Sequence, residues 1–500
     1  MRINTAGRST RRIVVAAALS VGLACSYGGL APAAMSSPKQ PGLVASVTLP
    51  GGASAVAVQG SIVAAISASA SSISIIDANS LTVRSTVTLP QVPNPYSEAP
   101  PEVVLTSDGA LAYVLAGQGL FVVDTAAGTL IRWVEIPLAC LSGMTISPDG
   151  GRLNFIADCG GDSAIWSINP VTLVVGDRNV TLTGFNEGLG RPYGRLASSL
   201  DRTFAMASRP VFKCPDMNGC PMPDAVISVN GASATPLVSG PVETGDALIR
   251  DPADGTLLAL TPQLAWMEFT GLPADQSLIR IDADSGAQLG QINGLGSQTG
   301  SLREPTSKGD SSYAGGELPS QVAALNLDPV DMRVYGLRSS RNSLVVVDLV
   351  SKSVLGEVKV RVKGQYGVAF SDGRGYVATD AGVNVIDPQK MLAPSAPQSV
   401  SLKIQPAGKG RVKATITWKA PVSAGASPVT GYAVRARSED PGLAVDVRSQ
   451  ATCSTRKMKC VLMLKQVKTS DGFYPAFYGV RVNAMSKLGA GASSQVFVRG

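Results

Sequence analysis

Histidine is absent from all 500 residues. That removes the usual general base, the Ser-His-Asp arrangement and most transition-metal sites. What remains for chemistry is 36 carboxylates, seven cysteines and a few aromatics. The carboxylates recur in a pattern. Short apolar runs end in Ile75-Ile76-Asp77, Val122-Val123-Asp124, Ser167-Ile168-Asn169, Ser228-Val229-Asn230, Arg280-Ile281-Asp282, Val346-Val347-Asp348 and Val385-Ile386-Asp387. A short acid or amide in that place bonds the backbone two residues on and heads a turn, so no catalytic carboxylate is assigned. A second series, Asp108-Gly109, Asp149-Gly150, Asp254-Gly255 and Asp372-Gly373, marks another set of turns, with Asp201-Arg202 and Asp328-Pro329 as drifted versions. The glycines sit in turns and not before helices, so no phosphate-cradling or dinucleotide loop is present.

These turns punctuate a repeat. Its clearest copy runs from Pro101 to Pro137 and reads as four short alternating strands, cut by Ser107-Asp108-Gly109, Gly117-Gln118-Gly119 and Asp124-Thr125-Ala126-Ala127-Gly128. Period-2 apolar runs between such turn residues are strands and hairpins. A unit of roughly 45 residues with four strands is the signature of a propeller blade. The seven Asp/Asn ends index seven blades over residues 43–390. After Asp387 the seventh lacks its outer strand. Leu43–Pro50 supplies one, closely matching Val83–Pro90, the outer strand of the first blade. The expected fold is therefore all-β: a seven-bladed β-propeller closed by an N-terminal strand, which removes the open sheet edges.

Met1 to Ala34 reads as a signal peptide. Arg2, Arg8, Arg11 and Arg12 precede an apolar run, Ile13–Ala24, too short to span a bilayer, and Ala31-Pro32-Ala33 offers a cleavage site. Gly22-Leu23-Ala24-Cys25 misplaces the leucine of a lipoprotein box, and Thr10–Val14 leaves Sec or twin-arginine export open. The mature chain is expected to be secreted, or held non-covalently at the cell surface, as a monomer. The six cysteines left after Cys25 suit an oxidising compartment. Fifteen pairings exist in principle; blade geometry favours the local set Cys140–Cys159, Cys214–Cys220 and Cys453–Cys460.

The repeats resemble the YVTN family of β-propeller proteins. The likeness rests on Ala112-Tyr113-Val114-Leu115-Ala116, Gly375–Asp380 and Ser72–Leu81; it covers most of residues 43–390 and is weakest in blades 4 and 5. The resemblance implies a fold and not a reaction. Histidine-dependent relatives, such as streptogramin lyases and copper reductases, are set aside by the missing histidine. Ser147-Pro148-Asp149-Gly150-Gly151 starts like a sialidase aspartate box but lacks the aromatic finish.

Residues 391–397 form a Pro-rich linker. Residues 398–500 resemble a fibronectin type III domain, a β-sandwich, through Ala414–Trp418, Pro428–Tyr432, Tyr478-x-Val480-x-Val482-x-Ala484 and Leu488–Gly491. Trp418, Tyr432 and Tyr478 are read as core. Charge splits at the linker. The tail holds sixteen Lys/Arg against Glu439, Asp440, Asp446 and Asp471, a net of +12, whereas residues 36–395 are net −9. A basic sandwich on an exported chain suits an anionic cell-wall polymer and, given the compartment, not nucleic acid.

Insertions locate the expected binding face. Loops between blades, and between second and third strands, share one face; the other turns share the opposite face and are short. The long segments 91–101, 184–193, 209–223, 263–276 and 295–320 all fall in the first class, and insertions on one face mark a binding face. They carry Tyr96, Arg191, Tyr193, Phe212, Lys213, Trp266, Glu268, Phe269 and Tyr313, a mix suited to a protein or glycan ligand. The leading expectation is a non-enzymatic binding or adhesion protein without catalytic residues or cofactor, its basic tail a tether. The alternative is a secreted hydrolase or lyase using Asp/Glu, with calcium as the metal it would take.

Overall fold

In the computed structural model, the described residues are 41–90, 100–136, 141–158, 163–173, 180–181, 192–207, 212–214, 217–220, 224–230, 233–242, 248–251, 254–260, 276–296, 322–338, 343–363, 366–440, 446–465 and 477–499. The period-2 runs become strands throughout, and a single 3-10 turn, Pro388–Met391, interrupts them among these residues. The segment read as a signal peptide lies outside the described residues. No described helix is long and apolar enough to cross a membrane.

Residues 43–393 build an all-β, propeller-like array of small antiparallel sheets. The first sheet runs Ala55–Gln59, Ile62–Ile66, Ser72–Asp77 and Val83–Thr88. The second runs Glu102–Leu105, Leu111–Ala116, Gly119–Asp124 and Thr129–Glu135, and the third Leu141–Ile146, Leu153–Asp158, Ser163–Ile168 and Val180–Thr181. The fourth has Pro192–Ser198, Thr203–Ala207, Asp224–Asn230 and Ser233–Val242, with a small hairpin, Phe212–Cys214 against Met217–Cys220, between its middle strands. The fifth has Leu248–Arg250, Leu257–Leu260, Gln276–Ile281 and Gln288–Gly296, and the sixth Val322–Asp328, Arg333–Arg338, Leu344–Asp348 and Ser353–Val358. The seventh has Val368–Ser371, Arg374–Thr379 and Gly382–Ile386, and takes Leu43–Thr48 as its fourth strand.

Alternation explains how the sheets stack. In the second strand of the first sheet, Ala64 and Ile66 pack with Val103, Leu105, Val114 and Phe121 of the second sheet. Val63 and Ala65 point the other way, against Tyr376, Ala378, Val383 and Val385 of the seventh. Both faces of an inner strand are thus covered, so Ile62–Ile66 is buried at every position, as a strand buried on two sides must be. Outer strands such as Thr129–Glu135 remain mostly open to solvent. The first strands of the seven sheets neighbour one another in sequence order, and the last returns to the first. Leu43 pairs with Ile386 and Thr48 with Gly382, and the Asp387 amide donates to the Gly42 carbonyl at 2.7 Å.

The tail has two sheets: Pro397–Pro406, Arg411–Pro421 and Lys459–Lys465 in one, and Asp446–Thr455, Gly431–Asp440, Phe477–Ser486 and Gly489–Arg499 in the other. They share one core that includes Ile416, Leu462, Val434 and Val480. Trp418, Tyr432 and Tyr478 are buried in it, and the Trp418 and Tyr432 rings meet edge to face at 5.3 Å.

The stretch read as a Pro-rich linker, with the residues just before it, carries strand and turn structure. Asp387 caps the Pro388–Met391 turn by accepting from the Gln389 and Lys390 amides. Leu392–Ala393 then adds to Ser353–Val358 as a fifth strand of the sixth sheet. The Leu392 carbonyl also accepts from the Ala426 amide of the tail at 2.8 Å.

Candidate functional site

In consecutive antiparallel strands, the turns after strands one and three of every sheet emerge at the same end. There the repeated acids are occupied by their own turns. Asp77 Oδ1 accepts from the Asn79 and Ser80 amides at 2.9 and 2.8 Å. Asp124 does the same for Ala126 and Ala127, both at 2.8 Å. Asn169 serves Val171 and Thr172, and Asp282 serves Asp284 and Ser285. The second series behaves alike: Asp108 accepts from the Ala110 amide and the Thr106 hydroxyl, and Asp149 from the Gly151 amide and the Ser147 hydroxyl.

These donors favour the ionised form. The Ser80 amide, then the Arg84 guanidinium, holds Asp77 far below the usual carboxylate range. The Thr106 hydroxyl lowers Asp108, Ser147 lowers Asp149, Ser199 lowers Asp201 and Ser285 lowers Asp282. Asp254 is lowered as well, the Thr256 and Arg280 contacts outweighing the desolvation that opposes them. A carboxylate held ionised is a poor proton donor at neutral pH, and these are committed to the backbone.

The same end is fastened from sheet to sheet. Gln59 donates to the Ser107 carbonyl at 2.9 Å, joining the first sheet to the second. Arg152 donates to the Leu200 and Asp201 carbonyls, and Arg202 reaches the Ala283 carbonyl and the Asp284 carboxylate. Asp328, fully buried, accepts the Gly373 amide at 2.9 Å, and Arg374 donates to the Ala78 carbonyl at 3.1 Å. Among the described residues, five junctions, including seventh to first, thus carry a side-chain latch at this end.

The four longest connections, 89–101, 208–223, 261–275 and 297–321, leave from the opposite end. Tyr96, Arg191, Trp266, Glu268, Phe269 and Tyr313 lie outside the described residues. Tyr193 is in the first strand of the fourth sheet, and Phe212 and Lys213 are in the hairpin inserted between that sheet's middle strands, at the insertion-bearing end. Cys214 and Cys220 occupy the two strands of this hairpin, and Cys140 and Cys159 lie outside the described residues. Cys453 and Cys460 are joined by a disulfide. Because Cys453 belongs to one tail sheet and Cys460 to the other, the bond closes one edge of the sandwich rather than merely pinching a loop. Among the described residues no three Cys, Asp or Glu side chains gather as a metal-holding group.

One carboxylate escaped the repeat pattern. Glu102 opens the first strand of the second sheet and is buried at 3% exposure. Its Oε1 and Oε2 accept the Gly143 and Met144 amides of the third sheet, each at 2.7 Å. Those amides are turned out of the ladder by a bulge between Ser142 and Thr145, where Gly143 adopts φ +65. A charged residue opening an otherwise apolar strand was the available signal.

Neither a family model nor a curated protein matches the sequence. Among solved structures the chain is similar to the Kuenenia stuttgartiensis hydrazine synthase, with 16% identity and a TM-score of 0.45 over 70% of this chain and 98% of that one.

Proposed function

We propose that this chain is an exported binding or adhesion protein: a seven-bladed β-propeller of YVTN type whose insertion-bearing face recognises a protein or glycan, and a basic fibronectin type III-like tail that tethers it to the envelope. The observation that carries the reading is the asymmetry between the two ends of the ring. One end spends its polar side chains on turns and inter-sheet latches. The four longest connections, 89–101, 208–223, 261–275 and 297–321, leave the other end, where loops on a rigid scaffold carry binding residues.

The test is retention on isolated cell envelope. Wild-type protein is expected to sediment with it, and salt should strip the electrostatic part of the binding. The W266A/Y313A double variant should lose the salt-resistant part while keeping its melting temperature. No retention of the wild type, or hydrolysis of envelope polymer that disappears when ring carboxylates are replaced, would overturn this reading.

A further inference from the structure

The three-stranded tail sheet presents an outward face of unusual charge. Along Arg411–Pro421 the burial alternates strictly, with Val412, Ala414, Ile416 and Trp418 inside and Arg411, Lys413, Thr417 and Lys419 outside. Lys459–Lys465 alternates in the same way, with Lys459, Val461, Met463 and Lys465 exposed. Lys403 completes the face from Pro397–Pro406. Six cations therefore project from one flat surface, and the three strands contain no Asp or Glu at all.

Register makes this costly. Arg411 pairs directly with Lys465, which puts their Cα atoms about 5 Å apart, and like charges directly opposite destabilise a sheet. Lys413 lies two residues further along the same strand, about 7 Å from Arg411. A sandwich needs no such arrangement to fold, since its stability comes from the inward residues. Cations on a two-dimensional grid, with no ion pair to any of the six among the described residues, are matched by a ligand that brings many anionic groups at once.

Resting on the tether reading above, we infer that this sheet face is the tether itself, and that its partner is a linear phosphodiester polymer of the cell envelope lying flat across the three strands. Five of the six cations are lysines, point charges that follow charge density rather than fix a planar bidentate fork. The composition argues against a bilayer: no aromatic residue stands on the outward positions of the three strands, and the exposed apolar side chains among those of Lys459–Lys465 are Val461 and Met463, between Lys459 and Lys465. Interfacial membrane binding relies on a protruding apolar or aromatic face.

The experiment measures binding of fluorescent poly(glycerol phosphate) to the full chain by anisotropy over a salt series. Six contacts predict a slope of log K against log salt of roughly −4 to −5, by analogy with other phosphodiester chains. The K413Q/K459Q/K465Q variant should bind at least about tenfold more weakly, with the slope falling by roughly 2 to 3. The matched control K352Q/K390Q/K487Q, which removes three exposed cations elsewhere, should bind like wild type. Exposed Lys→Gln changes leave stability nearly unaltered, which a thermal melt of each variant checks. If wild type is retained on envelope but the face variant binds the polymer unchanged, the face assignment is wrong and the tether reading survives. If wild type is not retained on envelope at all, the tether reading itself has failed. If wild type ignores the polymer but binds vesicles of phosphatidylglycerol and phosphatidylcholine, the partner is a membrane and the inference is overturned.

Discussion

At the scale of single residues, the acids of the repeat behave as backbone caps whose charge is an addition to their geometry. Asn169 makes the same pair of turn bonds as Asp124 without a charge. Its presence in the series separates the two contributions. Lowered carboxylates bind protons less readily when folded than in the unfolded chain, where the value is near 3.9. Their stabilisation is therefore complete above that pH and is lost as pH falls through and below it. The D77N/D282N variant should keep its fold at neutral pH, because asparagine can still accept the turn amides. Its unfolding midpoint in urea should lie below that of wild type at pH 7, where the charge's contribution is lost, and fall less steeply between pH 5 and pH 2.5, so that the two converge in acid. An equally steep acid fall in the variant would show that these carboxylates do not carry the pH dependence.

At the scale of elements, Leu43–Thr48 is the strand that completes the seventh sheet. Its partner strand turns through Gly382, where φ is +135 and a Cβ would fall on the Val47 carbonyl. Alanine there combines unfavourable backbone with overpacking, so G382A should lower stability by roughly 3 kcal/mol in denaturant unfolding. Deleting Leu43–Pro50 should do more, exposing the edge of the seventh sheet to other chains. Light scattering is then expected to report aggregation and unfolding to lose its cooperativity. A soluble deletion with wild-type cooperativity would refute a role in closure.

At the scale of the whole molecule, residues 392–394 tie the ring to the tail. Leu392–Ala393 extends the sixth sheet, while the Leu392 carbonyl crowds Gly425 and the Pro394 carbonyl crowds Gly491. Side chains at those glycines would push the sandwich off the strand. Wild-type protein should therefore unfold in one calorimetric transition, whereas G425A/G491A should give two, with the ring transition near its original temperature. Two transitions in the wild type would show that the docked strand transmits little.

The amino-acid sequence alone determined what depends on near neighbours along the chain. Period-2 runs specified strands, Asp/Asn and Gly specified where they turn, and the likeness of Leu43–Pro50 to Val83–Pro90 pointed to the strand that completes the last sheet. The burial of Trp418, Tyr432 and Tyr478 was what the likeness of the tail to a fibronectin type III domain implied. Only tertiary structure decided what depends on which surfaces meet. Proline-rich composition marked residues 391–397 as a linker; that the free edge of Ser353–Val358 recruits Leu392–Ala393 from it was not legible there, because an unpaired edge satisfies its backbone with any strand that reaches it. Seven residues of separation made Cys453 and Cys460 a local loop closure, until strand pairing placed them in different sheets. Glu102 carried no repeat signature, since the amides that it accepts belong to a bulge 41 residues away, and a bulge's freed donors find their acceptor only once the sheets have packed.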